Sequence, residues 1–351
     1  MKRITFSTIS IIAILAISGC AKETEAGPNE ANKRFFDAWI QVNHPDIKPT
    51  GLGIYILDEE EGTGVEVEKD GIVIIDYRTY GLDGTITSYT DKYTAKQLGD
   101  YDTTVYYGAK PMTTEEGSIP AGVAEAIIGM KTGGYKKFIV PNWLMSTSVY
   151  SSEEKYLNKK TSSDHTIYEI WVRDFTKDIE EWQIGEIGRY FETDSRFAGM
   201  TTEDYIKMTV DNQETEFKGM FYKQTKAPVS EEEFPSDTAI YINYTGKLLN
   251  GLVFDTTNEK VAKNNGIYSS SKTYEPVRIN WGETYTDITM GTSKSSVITG
   301  FALTLWQMKA MEHGVGIFTS TYGYGYSGSG SSIPSYAPLI FEIEIVAEPE
   351  D

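Results

Sequence analysis

The 351-residue sequence repeats one pattern, and a repeat of this kind constrains the fold more than any other feature. Residues 71–91 (GIVIIDYRTYGLDGTITSYTD) and residues 238–257 (TAIYINYTGKLLNGLVFDTT) both run through alternating apolar residues to a tyrosine, followed six residues later by Asp-Gly or Asn-Gly. These dipeptides between alternating apolar residues are the strongest short-range signal of a β-hairpin. The chain is therefore expected to form the same hairpin twice.

A second pair of segments repeats farther along the chain. Residues 119–141 and residues 297–320 each contain a glycine, a short helical stretch, Met-Lys, a turn and a strand-like run. Apolar residues recur at helical spacing on one face of each stretch: Val123, Ile127 and Met130 in the first copy, and Phe301, Leu305 and Met308 in the second. Each short helix is therefore expected to cover one side of a curled sheet.

The chain length and the positions of the repeats predict two domains. We place the first at residues 50–176 and the second at residues 214–351. Between them, residues 177–213 are predicted to form a helical linker, because apolar residues recur there every three to four positions. Residues 20–49 are interpreted as a polar tether followed by a helical lead-in to the first domain.

Charge and residue usage exclude several classes of function. The formal net charge is −19, and the 32 Lys and Arg residues form no cluster, which argues against a nucleic-acid partner. The chain has three histidines, His44, His165 and His313. None of them stands in a spacing typical of metal ligands or of a Ser/His/Asp triad, so we expect neither a metal nor another cofactor.

The N-terminal residues 1–19 are predicted to be a lipoprotein signal peptide. Lys2 and Arg3 precede an apolar run that is too short for a good membrane span, and the run ends in Ile17-Ser18-Gly19-Cys20. This end resembles the lipobox of bacterial lipoproteins, in which the cysteine is lipidated; the alternative is an ordinary secretory signal that contains a cysteine. Cys20 is the only cysteine, so disulfides are excluded. We therefore expect a lipid-anchored protein of the bacterial envelope, on the periplasmic face of the outer membrane or at the cell surface.

Three motifs of the second copy lie in an order that points to one family. Residues 244–255 read YTGKLLNGLVFD, residues 297–301 read VITGF, and residues 322–344 run from YGYG through IPSYAPLIFEIE. With these motifs the chain resembles the FKBP-type peptidyl-prolyl cis/trans isomerases, and the first copy resembles them more loosely. The resemblance implies an α+β fold of two FKBP-like domains, each an antiparallel sheet of five or six strands curled around one short helix, with the active site in the apolar hollow between them.

The resemblance also implies a set of site residues in the second domain. Tyr244, Asp255, Ile298 and Tyr324 take catalytic positions, and Phe254, Val277, Val297, Phe301, Ile333 and Phe341 surround the substrate. Asp255 would orient Tyr244 and polarise the bound imide, while the Ile298 N–H and the Tyr324 hydroxyl would donate hydrogen bonds to substrate carbonyls. Val277 stands where most members have an aromatic residue. Two long loops, 256–275 and 283–296, flank the site and are expected to reshape or partly cover it.

The first copy lacks most of these groups. Thr87 and Ser88 stand where Phe-Asp would be, and Val123 replaces the aromatic floor. Pro120 replaces the residue that donates the backbone N–H, and a proline has no N–H to donate. We therefore predict that the first domain is a structural or binding module without catalytic activity.

Prolyl isomerisation suits a chain without a nucleophile or a metal. The barrier to rotation about an X-Pro bond is roughly 18–20 kcal/mol, and no bond is broken, so a catalyst has to bind the twisted amide better than either planar form. We expect proline-containing polypeptides as substrates and macrolide inhibitors of the family as ligands. Two alternatives remain open: a non-catalytic chaperone or scaffold that grips extended chains, and a glycan-binding component of a nutrient-uptake complex.

Overall fold

The computed structural model describes residues 27–349, which contain two antiparallel sheets. The predicted signal peptide and Cys20 lie outside the described residues. Among residues 27–349, no helix is both long enough and apolar enough to cross a bilayer. Residues 27–349 form two units, each built on one of these sheets.

The first unit contains one sheet of six strands. Its strands are β1 (Tyr55–Glu60), β2 (Ile72–Tyr80), β3 (Ile86–Tyr89), β4 (Lys110–Thr113), β5 (Tyr135–Val140) and β6 (Thr166–Thr176). Its helices are α1 (Glu30–Asn43), α2 (Lys92–Leu98), α3 (Ala121–Ile127) and α4 (Glu153–Leu157). The strand order is β1-β5-β6-β2-β3, and β4 also pairs with β2.

The second unit contains a sheet of nine strands. Helix α5 (Ile179–Thr193) precedes it, and its strands are β7 (Tyr205–Val210), β8 (Gln213–Lys226), β9 (Ala239–Leu248), β10 (Val253–Thr256), β11 (Val277–Asn280), β12 (Thr289–Met290), β13 (Ser295–Ser296), β14 (His313–Phe318) and β15 (Leu339–Val346). Its other helices are α6 (Glu259–Asn264) and α7 (Thr299–Trp306). The strand order is β13-β12-β11-β9-β15-β14-β8-β7, and β10 also pairs with β9.

The two sheets have the same central topology. The order β1-β5-β6-β2 in the first sheet corresponds to β8-β14-β15-β9 in the second, and β3 and β10 occupy equivalent places as the partners of β2 and β9. Helix α3 contacts β5, and α7 contacts β14 and β15. The predicted α+β fold of two domains, each an antiparallel sheet with a short core helix, is confirmed, and β7, β12 and β13 extend the second sheet beyond six strands.

The helical faces predicted from the sequence are buried in both domains. Val123 and Ile127 belong to the first core, and Phe301 and Leu305 belong to the second. Met130 and Met308 are buried with them but lie beyond the ends of α3 and α7, which corrects their predicted place on the helices. An isolated helix of seven or eight residues is unstable in water. Burial of the apolar face against the sheet therefore stabilises each of these helices.

The segment between the domains is only partly helical, which corrects the predicted helical linker at 177–213. Helix α5 ends at Thr193, and the later part of the segment forms β7, which pairs with β8. Asp211 and Asn212 connect these strands with φ of 50° and 62°, the backbone conformation of a tight hairpin turn. The apolar face of α5 packs against β8, β14 and β15 in a separate apolar cluster, so α5 belongs to the second unit.

The long loop 256–275 of the second domain has a counterpart in the first domain that sequence comparison missed. Asp91 caps α2 by accepting the Thr94 N–H at 2.8 Å, and Asn258 caps α6 by accepting the Val261 N–H at 3.1 Å. The Asp91 carboxylate is therefore engaged as a helix cap. Each helix is followed by a loop closed by two tyrosines, which we call the first tip loop (101–107) and the second tip loop (268–274).

A half-buried histidine ties the lead-in helix to the first domain. His165 stacks on Phe36 of α1 with ring centroids 4.6 Å apart, and its Nδ1 accepts the Asn142 backbone N–H at 3.1 Å. Burial lowers the pKa of His165 from 6.5 to about 4. The ring is therefore neutral in the folded protein, with Nδ1 as an acceptor.

The stability of the first domain should fall as the pH drops from 6.5 towards 4. The unfolded chain protonates His165 near pH 6.5 but the folded chain resists protonation, so between pH 7.5 and pH 5 the domain should lose about 2 kcal/mol of unfolding free energy through this group. Urea denaturation at the two pH values measures the loss. In His165→Gln, which does not titrate, the loss should shrink by about that amount; an unchanged pH dependence would contradict the assignment.

Candidate active site

The second domain contains a cavity of about 490 Å³ between α7, β9, β10 and the chain that leads into β15. Its lining consists of Tyr244, Phe254, Asp255, Met290, Ser296, Val297, Ile298, Phe301, Tyr324, Ser329, Ser332, Ile333 and Phe341. Every pocket residue predicted for this domain except Val277 is in this set. The cavity opens to solvent, since the Asp255 side chain is 42% exposed and Tyr324 is 38% exposed.

Aromatic rings form the floor of the cavity. Phe301 and Phe341 meet edge to face with centroids 5.0 Å apart, and Tyr244 meets Phe301 in the same way at 5.5 Å. Phe254 lies against Phe341 at 5.7 Å. Edge-to-face packing of this kind favours defined ring positions, so the floor is rigid as well as apolar.

Asp255 and Tyr244 form the polar centre of the cavity. The Tyr244 hydroxyl donates a hydrogen bond to Asp255 Oδ2 at 2.6 Å, and the Thr256 backbone N–H donates to Asp255 Oδ1 at 2.9 Å. Burial raises the pKa of Tyr244, and the negative charge of Asp255 raises it further. The phenol therefore keeps its proton, and this proton fixes the orientation of the carboxylate.

Lys272 of the second tip loop reaches the outer oxygen of the same carboxylate. Its ammonium group forms an ion pair with Asp255 Oδ1, and the two side chains are 37% and 42% exposed. At that exposure an ion pair contributes at most about 1 kcal/mol to stability. The ion pair matters more for the site, because it places the positive charge of Lys272 at the solvent-exposed side of the Asp255 carboxylate.

Ile298 and Tyr324 each bring a hydrogen-bond donor to the lining of the cavity. Ile298 is the N-cap residue of α7 with φ −67° and ψ 147°, and its N–H donates to no acceptor within residues 27–349. Tyr324 precedes a short 3₁₀ turn whose Gly325 carbonyl accepts the Tyr336 N–H at 2.9 Å. Burial, and then the charge of Asp255, raises the pKa of Tyr324, so its hydroxyl remains a donor at neutral pH.

Val277 does not line the cavity, which corrects its predicted place in the pocket wall. Val277 on β11 pairs with Ile242 on β9, and its side chain packs against the second core. Met290 on β12 takes the wall position instead, because the loop 283–296 folds back as a strand beside β11. Met290 and Lys272 were missed because they lie in the two long segments 283–296 and 256–275, where no sequence motif marks a site residue.

The first domain has a different polar arrangement at the same place in the fold. In the β2–β3 pair Ser88 lies opposite Thr79, as Asp255 lies opposite Gly246 in the β9–β10 pair. The Ser88 hydroxyl is 3.4 Å from the Tyr77 hydroxyl, a longer contact without a charge. Pro120 caps α3 in the place that Ile298 occupies on α7. The first domain therefore has neither the carboxylate nor the backbone donor.

A glycine in β9 makes room for the Phe254 ring. A Cβ atom at Gly246 would lie 2.6 Å from Phe254 Cε2 and 3.0 Å from Phe341 Cε1, closer than real contacts allow. In the first domain the equivalent Thr79 fits, because Thr87 replaces the ring and the two hydroxyls are 2.8 Å apart. The aromatic ring at position 254 therefore requires glycine at position 246.

Gly246→Ala should destabilise the second domain and push the Phe254 ring into the cavity. Overpacking of this kind costs roughly 1–3 kcal/mol in unfolding free energy, which urea denaturation would measure. Gly185→Ala is the matched control, since a Cβ at Gly185 in α5 meets nothing within 4 Å. That change should be neutral or stabilising by up to about 1 kcal/mol. Equal effects of the two substitutions would contradict the tight fit at Gly246.

Residues 230–346 match a family model described as FKBP-type peptidyl-prolyl cis-trans isomerase. A comparison with curated proteins finds no match. Among solved structures, the chain is similar to a crystal structure of the three FKBP domains of wheat FKBP73, with 17% identity, 85% of this chain and 95% of that chain covered, and a TM-score of 0.28. It is also similar to a peptidyl-prolyl cis-trans isomerase of Pseudomonas syringae pv. tomato, with 19% identity, 49% and 96% covered, and a TM-score of 0.29. The segment matched by the family model lies within the second domain.

Proposed function

We propose that the activity of this chain, which carries an FKBP-type peptidyl-prolyl cis-trans isomerase domain at residues 230–346, resides in the cavity around Tyr244 and Asp255. The observation that supports this most directly is the hydrogen bond from the half-buried Tyr244 to Asp255 beside an aromatic floor. The first domain has no such pair. We therefore assign catalysis to the second domain alone.

The cavity suits the twisted state of an X-Pro amide. Twisting the C–N bond removes its resonance and leaves a less polar carbonyl, and an apolar wall favours that state over the planar forms. Phe301 and Phe341 would pack on the prolyl ring. The Ile298 N–H and the Tyr324 hydroxyl would hold substrate carbonyls, so that the peptide on either side of the bond stays fixed while the bond turns.

Asp255 acts in this scheme by orientation and by charge. Its carboxylate holds the Tyr244 hydroxyl at 2.6 Å and faces the space where the imide would sit. Lys272 keeps its outer oxygen occupied and would have to accommodate the entering peptide. No proton transfer is needed, so the phenol and the carboxylate keep their protonation states throughout the reaction.

Asp255→Ala in the full chain should lower kcat/KM for an X-Pro peptide by roughly ten- to hundredfold, because one polar group of a preorganised site is lost. A protease-coupled isomerisation assay measures this. Ser88→Ala, the equivalent change in the first domain, is the matched control and should leave the rate unchanged. A macrolide inhibitor of the family should compete with the peptide in the wild-type chain.

Two results would overturn the assignment of catalysis to the second domain. One is a wild-type rate no faster than the uncatalysed reaction. The other is a loss of rate in Ser88→Ala with full activity in Asp255→Ala, which would place catalysis in the first domain.

We also propose that the protein is anchored to the bacterial envelope through a lipid on Cys20 and assists the folding of envelope or exported proteins there. The support is in the sequence: a basic start, an apolar run, the Ile-Ser-Gly-Cys end and a polar tether before α1. Two acyl chains on one cysteine would give stable membrane binding without a spanning helix.

Cys20→Ala should move the protein from the membrane fraction to the soluble fraction of the envelope. Cell fractionation with an antibody against the second domain measures the distribution, and metabolic labelling with a fatty acid shows whether the wild-type chain carries a lipid. Label that persists in Cys20→Ala, or a wild-type chain without label, would contradict the anchor.

A further inference from the structure

The segment that carries Tyr324 is held by residues outside the matched family segment 230–346. We call residues 319–338, between β14 and β15, the pocket loop; it supplies Tyr324, Ser329, Ser332 and Ile333 to the cavity. We propose that Gln183 of α5 and Tyr106 of the first tip loop are positioning residues for the isomerase site. The inference rests on the proposed function and assigns the first domain a role in it.

Gln183 fixes the start of the pocket loop through a two-way hydrogen bond. Its Oε1 accepts the Ser320 backbone N–H at 2.6 Å, and its Nε2 donates to the Ser320 hydroxyl at 3.0 Å. Gln183 is 1% exposed and Ser320 is 4% exposed, so water does not compete for either bond. Because the amide satisfies a donor and an acceptor of one residue at once, Ser320 is held in a single orientation.

Helix α5 carries this contact to the first domain. Trp182, the neighbour of Gln183, donates its indole N–H to Asp174 Oδ2 of β6 at 2.9 Å. The same helix packs Ile184, Ile187 and Phe191 against the second sheet. The end of the first sheet, α5 and the start of the pocket loop are therefore joined by short, direct contacts.

Tyr106 holds the far part of the pocket loop from the first domain. Its backbone N–H donates to the Ser331 carbonyl at 2.9 Å, and its ring packs against the second core. Ser331 lies between Ser329 and Ser332, both of which line the cavity. The first tip loop thus contacts the wall of the isomerase site directly.

The first tip loop also contacts the loop that bears Lys272. A Cβ atom on Gly266, two residues before the second tip loop, would lie 2.5 Å from the Thr103 hydroxyl oxygen, so the Thr103 side chain lies directly against the Gly266 backbone. The first domain therefore contacts both segments that flank the cavity, at Gly266 on one side and at Ser331 on the other. Tyr324 lies between the anchors at Ser320 and Ser331 in sequence, and its hydroxyl position depends on both.

Gln183→Ala removes both hydrogen bonds to Ser320, and Tyr106→Ala removes the ring that seats the first tip loop on the second core while it keeps the backbone N–H. In the full chain each should lower kcat/KM for an X-Pro peptide by about threefold to tenfold, because a displaced active-site group costs up to about two orders of magnitude. The loss should appear mainly as a higher KM, since Tyr324 binds a substrate carbonyl. Glu192→Ala, exposed on the same helix, and Tyr93→Ala, 66% exposed on α2, are the matched controls and should leave both constants unchanged.

A double-mutant cycle with Tyr324→Phe separates positioning from general damage. If Gln183 acts through Tyr324, its substitution should cost less than twofold once the Tyr324 hydroxyl is absent, because coupled losses overlap instead of multiplying. Ser320→Ala, which removes only one of the two bonds, gives a smaller loss and covers the case in which Gln183→Ala does not fold. Losses that multiply fully, or wild-type kinetics in Gln183→Ala and Tyr106→Ala, would overturn the inference.

These outcomes are distinct from a failure of the proposed function. If Asp255→Ala loses activity while Gln183→Ala and Tyr106→Ala do not, the site is correct and the positioning role is wrong. If Asp255→Ala keeps full activity, the proposed site itself is wrong.

Discussion

The candidate site depends on one hydrogen bond, from the hydroxyl of the half-buried Tyr244 to Asp255. That bond requires the register of β9 and β10, which sets Asp255 opposite Gly246. It also requires glycine at 246, because the Phe254 ring occupies the space that a Cβ atom would take. A change of register would turn the carboxylate away from the cavity. The hairpin turn, the glycine and the aromatic floor are thus linked conditions for a single polar centre.

The two domains show how far one fold tolerates the loss of a site. Both copies keep the central strand order, the short core helix, the capped helix that follows the hairpin and a tip loop closed by two tyrosines. These features bury apolar surface or satisfy backbone groups, so losing them would cost stability. The Asp255 carboxylate and the Ile298 N–H face the cavity instead, and in the first copy Ser88 and Pro120 replace these two residues. The first domain instead contributes contacts at the rim of the second cavity, where its tip loop meets Ser331.

Local signals in the sequence were enough for the hairpins, the core helices and most of the cavity. Asp-Gly and Asn-Gly specify their turns, helical spacing specifies the buried faces, and the motif order brings Phe254, Phe301 and Phe341 together. Contacts between loops distant in sequence were not predictable, because Lys272, Met290, Tyr106 and Gln183 carry no pattern of their own. The strand β7 was missed for a related reason: its apolar spacing fits a helix as well as a strand, and the turn at Asp211-Asn212 decides between them.

The central claim is that one of two similar hollows binds and turns the X-Pro bond. An amide-detected NMR titration of the isotope-labelled full chain with an unlabelled X-Pro peptide tests it most directly. We predict that the Ile298 amide, which has no intramolecular acceptor within residues 27–349, shifts together with the Tyr324 amide while Ser88 and Ala121 stay in place. Shifts at Ser88 and Ala121 with an unmoved Ile298 amide would contradict the account.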